Sequence, residues 1–357
     1  QLQRVSPVTL LKFRACNQLL TKCMNSFLVI GSGSAGRRHA LCLRKLYPSA
    51  RITMVKRSTS FQPLEQLSDS DIAIVSSLKA GISVRPEFVV IASPATMHLN
   101  DLDELSHACD KFLLEKPIAS SAVDGHRIQK IESERNLNIR VGHHLRFSET
   151  PQKFHELISA KPNGEILSLS LSYGQHLRYW RPLISAQDSV TARRDLGGGV
   201  LRELSHEIDA MSFLLGRPSR VNSAQISFNG VETDGRVETG VDALLSSGER
   251  AIGLHLDMTS ETPMRHWDAN FADFSLRADL LAGAIYTHTK GKNLELIYQA
   301  GPNERERAAL ALLSNAITGI PASPMDSCDV TQGVHVLNTI EAIEESAISD
   351  SSIVIAE

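Results

Sequence analysis

Phe27-Leu28-Val29-Ile30-Gly31-Ser32-Gly33-Ser34-Ala35-Gly36-Arg37-Arg38-His39 is the stretch whose reading decides the fold. Four apolar residues run into Gly-x-Gly-x-x-Gly, and a helical spacing of Ala40, Leu41, Leu43 and Leu46 follows. A short buried strand that turns through glycines into a helix is what a dinucleotide needs. Gly31 permits the tight turn, Gly33 lets the backbone approach the pyrophosphate, and Gly36 lets helix and strand pack closely. The helix start, from Ser32 through Ser34 and Ala35, presents unpaired N–H groups and partial positive charge to the phosphates. Glycine-rich turns occur in other α/β proteins; the strand before this one and the helix after it select the nucleotide reading.

Outward from that turn, Arg51-Ile52-Thr53-Met54-Val55 reads as the second strand, and its tip is Lys56-Arg57-Ser58. A dinucleotide fold that selects NAD places an Asp or Glu there for the ribose hydroxyls. Two cations and a hydroxyl instead suit a 2′-phosphate, so NADP is preferred over NAD. Residues 71–86 are mixed. Glu87 to Ala92 is an apolar strand that opens into Ser93-Pro94-Ala95-Thr96-Met97-His98, a place where ligands bind in open parallel sheets. A helix over 99–109, a strand at Phe112-Leu113-Leu114 running into Glu115-Lys116-Pro117, a helix over 122–136 and a strand over 138–142 follow. Strands alternating with helices predict a doubly wound parallel sheet over 24–145.

Past His143-His144-Leu145-Arg146-Phe147 the pattern changes to period two over 165–173, 219–228, 237–245, 251–258 and 273–281. With turn signals at Asn229-Gly230 and Ser247-Gly248, these runs predict a second, α+β domain over 146–357 built on a large, mostly antiparallel open sheet. Helical patterns lie at 201–215, 304–318 and 329–347. The free face of such a sheet needs cover, which self-association as a homodimer or homotetramer would supply.

The bulk numbers bound the function classes. A chain of 357 residues with 42% hydrophobic and 22% charged residues is a two-domain globular protein with sizeable cores. A formal net charge of −3 offers no electrostatic ground for nucleic acid or an anionic membrane as partner. No apolar run approaches the roughly 18 residues of a membrane span. The five cysteines are scattered without metal-ligand spacing, which predicts reduced thiols, no metal and a cytoplasmic protein. Residues 1–23 hold four Lys or Arg and no acid. They read either as a transit leader or as an extension without fixed structure ahead of a start at Met24; the strand so soon after Met24 favours the second.

Two stretches carry candidate chemistry. Glu115-Lys116-Pro117 stands at a strand end on the cofactor side, where the proline forces a sharp exit that points Lys116 into the cleft. Its ammonium would polarise a substrate oxygen, whereas the plain alternative is a surface lysine before a turn. The second stretch is Leu196-Gly197-Gly198-Gly199-Val200-Leu201-Arg202-Glu203-Leu204-Ser205-His206-Glu207-Ile208-Asp209. As one helix it buries Leu204, Ile208, Met211 and Leu215 and gathers Glu203, His206 and Asp209 on the opposite side. Carboxylates at i−3 and i+3 would orient His206 and raise its pKa, which suits a general base; a solvated charged face is the plain alternative. The triple glycine removes side chains as close approach to a ligand requires.

Gly31-x-Gly33-x-x-Gly36-x-x-His39, Ser93-Pro94-Ala95-Thr96-x-His98, Glu115-Lys116-Pro117 and Gly197-Gly198-Gly199 leading to His206-x-Ile208-Asp209 together resemble the Gfo/Idh/MocA family. The family is named for glucose–fructose oxidoreductase, inositol dehydrogenase and a rhizopine-catabolism protein. The resemblance runs from Met24 to the C-terminus. It implies a Rossmann domain followed by an α/β domain whose open sheet often mediates oligomerisation. It also implies pyranose, inositol or related substrates, and cofactor contacts at Ser93, Pro94, Thr96, His98, Glu115 and Lys116. The family lysine falls on Lys116. The usual Asp, three residues, His spacing is not kept: aligned on the glycines Glu203 takes the acid's place and Glu207 the histidine's, and aligned on His206 the acid's place holds Arg202. His206 is carried over as catalytic, with Glu203 as the acid. The segment from Tyr179-Trp180-Arg181-Pro182 through Ala192-Arg193-Arg194 is similar to relatives linked to bacterial surface-sugar synthesis. This places Arg146, Trp180, Arg181 and Arg194 beside Lys116, Glu203 and His206 as substrate candidates, with cations for a phosphate or carboxylate. The expectation is an NADP- or NAD-dependent oxidoreductase of a sugar-like alcohol or ketone. The alternatives are net redox-neutral chemistry on a tightly held cofactor and a non-catalytic nucleotide-sensing subunit.

Overall fold

Alternate residues of the first strand serve two different cores. In the computed structural model, which describes residues 24–57, 71–160, 166–180, 185, 189–320 and 327–356, Leu28 and Ile30 join one apolar cluster and Phe27 and Val29 another. The strands of this sheet are Ser26–Ile30 (β1), Arg51–Val55 (β2), Ile72–Val75 (β3), Phe88–Ile91 (β4), Lys111–Leu114 (β5) and Asn138–Val141 (β6). All pair in parallel, in the spatial order β3-β2-β1-β4-β5-β6. A sheet covered on both faces needs continuous apolar strands, and β1 and β4 are buried at every position. The order reverses between β1 and β4, which opens a crevice at their carboxyl ends. Helices Ser34–Leu46 (α1), Leu78–Ile82 (α2), His98–Leu105 (α3) and Ala122–Arg135 (α4) connect the strands.

The rest of the chain adds helices Glu149–Ser159 (α5), Leu177–Trp180 (α6), Val200–Glu203 (α7) and Ser205–Leu215 (α8), and strands Ile166–Gly174 (β7), Arg220–Ser227 (β8), Gly240–Ser247 (β9), Arg250–Asp257 (β10), Met264–Phe271 (β11), Phe274–Asp279 (β12), Ala284–Thr289 (β13) and Glu295–Gln299 (β14). Helices Glu304–Thr318 (α9) and Val330–Ser349 (α10) and the short strand Ile353–Val354 (β15) close the chain. The nine strands form one sheet, β14-β13-β12-β11-β7-β10-β9-β8-β15, antiparallel except where β7 meets β10. Its inner face buries Trp267, against which Phe154 of α5 and Phe213 of α8 pack. On the outer face Ser168, Ser170 and Ser172 lie beside Ala251, Gly253 and His255, so that face is small and polar. Strands β11, β13 and β14 were not expected. In β11 the inward apolar alternation is broken by Arg265, which reaches into the cleft, and β14 is an exposed edge without a buried side.

The two ends of the chain share a core. Ala308, Ala309, Leu312, Leu313, Ala316 and Ile317 of α9 pack with Phe27, Val29 and Leu113, so one face of the parallel sheet is covered by a helix from the chain's far end. On the other face α10 bridges α4 and β8, and Cys328 O accepts from Val141 N at the edge of β6. Asp329 and Gln332 cap α10 reciprocally. Among the described residues no helix is long and apolar enough to cross a membrane. The leader at 1–23 lies outside the described residues.

Candidate active site

A cleft of about 1300 Å³ runs along the carboxyl ends of β1, β4 and β5, with Tyr173, Trp180, His206 and Arg265 on its far wall. At its head, Gly31 has φ +101°, and a Cβ there would lie 2.4 Å from Ala92 O. A Cβ on Gly36 would lie 2.0 Å from Gly31 O, whereas one on Gly33 would meet nothing within 4 Å. The first and third glycines therefore make the turn compact, and the second faces open space. Helix α1 begins at Gly33 with no side-chain cap and no acid in its first turn. Its orphan N–H groups are thus left to an anion, with Ser32, Ser34 and Ala35 lining the cleft beside them. The cradle fits the pyrophosphate of a dinucleotide.

At the β2 tip, Arg57 lines the cleft and makes a two-pronged ion pair with buried Asp101, at 2.6 Å on each side. Ser93 Oγ donates to the same carboxylate at 2.6 Å. The acid absent from the strand tip thus arrives from α3, already engaged. Lys56 does not line the cleft, and Ser58 lies outside the described residues.

Pro94 and Ala95 line the cleft, but Thr96 and His98 do not. His98 is a correction. Its ring is buried beneath the turn, with Nδ1 3.1 Å from Ile118 O and Nε2 2.9 Å from Ser93 O. Burial, against those carbonyls, holds its pKa below the ordinary value. Thr96 faces Gly197, with its methyl 3.8 Å from where a Cβ would stand. Glu115 accepts from His39 Nε2 at 2.5 Å, from Arg38 Nη2 at 3.4 Å and from the Lys116 backbone at 3.1 Å. Burial opposes its ionisation, but His39, Arg38 and Lys116 outweigh burial and hold the carboxyl well below the carboxylate range. It ties α1 to the end of β5.

The helix expected over 201–215 breaks at Leu204, whose φ and ψ are −100° and 22°. The break frees the Glu203 carbonyl to accept from Lys116 Nζ at 2.5 Å, and Glu203 Oε2 lies 3.6 Å from the same nitrogen. Thr191 Oγ1 donates to the other Glu203 oxygen at 2.8 Å. Lys116 is thereby aimed across the cleft from β5 to the start of the second helix.

The expected trio does not form. Glu203 turns to Lys116 and Thr191, and Asp209 is bonded by Arg146 at 2.6 and 2.9 Å, so neither carboxylate meets His206. His206 instead packs edge-on against His144 and His143, at centroid distances of 4.4 and 5.3 Å. Burial first, then the adjacent His144, Lys116, His143 and Arg265, push its pKa well below the ordinary value, the reverse of the expected rise. Its Nδ1 is sealed and without a partner, which leaves Nε2 as the atom that can meet a substrate.

Of the substrate candidates, Lys116, Trp180, Glu203 and His206 line the cleft, and Arg181 lies outside the described residues. Arg146 and Arg194 are corrections: Arg146 is buried against Asp209, and Arg194 is spent on Glu344 at 2.9 Å and Glu238 at 3.4 Å. The triple glycine is also explained otherwise. A Cβ on Gly198 would lie 2.3 Å from Val190 O, and one on Gly199, at φ +113°, 2.3 Å from Glu238 Oε1. These two serve packing within the protein, and only Gly197 lines the cleft. Sequence reading missed His144, Tyr173, Arg265 and Arg305, all of which line it. His144 sat in a quoted segment, but nothing local marks the others, because their elements converge only in the fold.

Among the described residues, His143, Asp209 and Cys328 bring ligand-type atoms within 4.8 Å of one another. The Arg146 guanidinium already supplies the cation there, and burial, partly offset by Asp209, lowers the His143 pKa to about 4.

Comparisons with known proteins match both parts of the fold. A family model described as an oxidoreductase family with an NAD-binding Rossmann fold matches residues 25–143, and a GFO/IDH/MocA C-terminal domain model matches residues 152–271. An uncharacterized oxidoreductase of Streptococcus pneumoniae serotype 4 is 26% identical over 196 residues, 54% of this chain and 51% of that protein. The scyllo-inositol 2-dehydrogenase (NADP(+)) of Bacillus subtilis is 25% identical over 138 residues, 38% of this chain and 37% of that protein. The chain thus spans about half, or less, of the length of these curated relatives. The solved structure of a levoglucosan dehydrogenase in complex with NADH superposes with a TM-score of 0.77 at 17% identity, covering 93% of this chain and 99% of that one; at this identity the likeness speaks to the fold.

Proposed function

This chain belongs to the Gfo/Idh/MocA family of oxidoreductases, and on that premise we propose that it is an NAD(P)-dependent dehydrogenase or reductase acting on a hydroxyl or ketone carbon of a sugar, sugar acid or cyclitol. One observation carries the reading: the uncapped glycine turn, Lys116 and an imidazole held neutral all open onto a single cleft.

A nicotinamide dinucleotide, when bound, supplies the hydride acceptor for oxidation or the donor for reduction. Gly31, Gly33 and the start of α1 would hold its pyrophosphate, with Glu115 keeping α1 docked to β5. In the oxidation direction His206 Nε2 takes the proton of the reacting hydroxyl. The depressed pKa means that the ring is unprotonated and ready to accept at neutral pH. Lys116 Nζ stabilises the negative charge that grows on the same oxygen, and Glu203 positions that ammonium through its carbonyl and carboxylate. Reduction runs the same proton path in reverse.

NADP is the preferred cofactor in this reading. Asp101 fixes the Arg57 guanidinium at the ribose end through one N–H of each Nη, and the N–H bonds it leaves over would meet a 2′-phosphate. The assembly proposed is a homodimer or homotetramer formed across the outer sheet face, which sedimentation of the full chain would read. The test of the activity is initial-rate reduction of NADP and NAD with a panel of aldoses, uronates and inositols. Cofactor binding without hydride exchange on any of them would move the protein to the nucleotide-sensing class.

A further inference from the structure

Three arginines stand near His144, on the side of the cleft where His206 stands, and of the three Arg305 alone has no carboxylate partner among the described residues. Arg265, from β11, donates through Nε to buried Glu207 at 2.6 Å and lies 4.7 Å over the Tyr173 ring, while its Nη2 is buried without a partner. Arg305, the second residue of α9, lines the cleft and has no hydrogen-bond or ion-pair partner among the described residues. Arg38 shares Glu115 with His39 at the longer distance of 3.4 Å. Partial enclosure first, then the charges of Arg38 and Arg265, press the Arg305 pKa down, and Arg265 and Arg38 follow burial in doing the same to His144.

The nearby acids are committed. Glu115 serves His39, Arg38 and the Lys116 backbone, Glu207 serves Arg265, and Glu304 accepts from the backbone and hydroxyl of Thr150 at 2.6 and 3.1 Å. Arg305 is exposed to solvent at the cleft, whereas Arg265 is mostly buried, and an anion placed against both would gain attraction that water screens less on the Arg265 side. Guanidinium groups suit planar or tetrahedral oxyanions through paired hydrogen bonds.

We propose that the substrate carries a carboxylate or phosphate, and that Arg305 and Arg265 hold it beside His144. This rests on the dehydrogenase reading above and narrows its substrate class. The pyrophosphate of the cofactor has its own cradle at the uncapped start of α1. The two arginines instead surround the histidine whose ring packs 4.4 Å from His206, where a reacting carbon has to lie. A neutral polyol can accept from their N–H groups but brings no charge to set against Arg305.

The test is calorimetric titration of the enzyme–NADPH complex with D-glucose, D-glucuronate and D-glucose 6-phosphate, for the wild type, Arg305→Gln and Arg305→Lys. Steady-state turnover is measured on the same proteins. The expected result is that a charged sugar binds more tightly than glucose, and that Arg305→Gln lowers this preference roughly ten- to a hundredfold, the worth of a charge-assisted contact. Arg305→Lys should restore part of it, and NADPH affinity should move far less. Equal binding of charged and neutral sugars by the wild type would overturn the proposal. So would a loss in Arg305→Gln confined to NADPH, because the anion held would then be the cofactor's. Arg305-dependent binding of a charged sugar without hydride exchange would leave this inference standing and remove the dehydrogenase reading.

Discussion

Lys116, just past β5, and His206, in α8, both line the cleft, and their environments differ in a way that shapes the pH profile. A base must be unprotonated to act, and burial with neighbouring cations holds the His206 pKa well below 6.5. Activity in the oxidation direction should therefore survive acidification past the ordinary histidine range. The acid limb of kcat/KM should lie below pH 6.5, and a limb at or above that value would mean that another group is the base. Lys116→Ala and His206→Ala should each lower kcat by about two to four orders of magnitude with little change in cofactor affinity, the usual worth of a positioned proton-transfer group. Near wild-type turnover in both variants would place the chemistry elsewhere. The partner of each residue was the part hidden from sequence. Glu203 and Asp209 stand at helical spacing from His206, yet the break at Leu204 and the pull of Arg146 send both carboxylates elsewhere.

At the scale of the element, the glycine turn separates folding from binding. Gly33 has φ −68° and open space around its missing Cβ, so Gly33→Ala should keep the wild-type melting temperature. The added methyl would occupy the room that the pyrophosphate needs, so cofactor affinity should fall by about tenfold or more by fluorescence titration. Gly36→Ala would press a Cβ to 2.0 Å from Gly31 O and should cost about 1–3 kcal/mol of stability by chemical denaturation. If both variants melt like the wild type and bind like it, the turn is not the cofactor cradle. The β2 tip yields a second contrast. Lys56→Asp with Arg57→Ala should reverse a preference for NADPH over NADH, and added salt should narrow that preference in the wild type. Equal binding of the two cofactors at low salt would show that Arg57, tied to Asp101, does not reach the ribose.

For the whole molecule, buried histidines set the acid limit of stability. His143 and His335 are lowered to about 4, and His98, His144 and His206 are lowered too, in each case chiefly by burial. The unfolded chain takes up protons near pH 6.5 that these rings refuse when folded, so their contribution is complete above 6.5 and is lost as pH falls toward 4. Buried Glu207 and Glu238, whose pKa values are raised, act in the opposite direction but are fewer. The melting temperature should therefore drop by several degrees between pH 7 and pH 5, and a flat profile would show that the rings are already charged in the native state. Removal of residues 304–357 should unfold the parallel sheet as well as the second domain, because α9 supplies one wall of the first core. A soluble 24–145 fragment with native circular dichroism would refute that coupling.

The sequence by itself determined the two-sheet architecture and the nucleotide turn, since both rest on short-range patterns: apolar runs of strand length, period two, and glycines at fixed spacing before a helix. It also singled out Lys116 and His206, each by a local motif, and both line the cleft. Tertiary structure alone decided who partners whom. Asp101 reached the β2 tip from α3, Arg146 captured Asp209 from 63 positions away, and Arg305 came to the cleft from a helix that packs on α1. Side chains separated by so many residues leave no local period, and which charges neutralise each other depends on burial and distance, quantities that exist only once the chain has closed on itself.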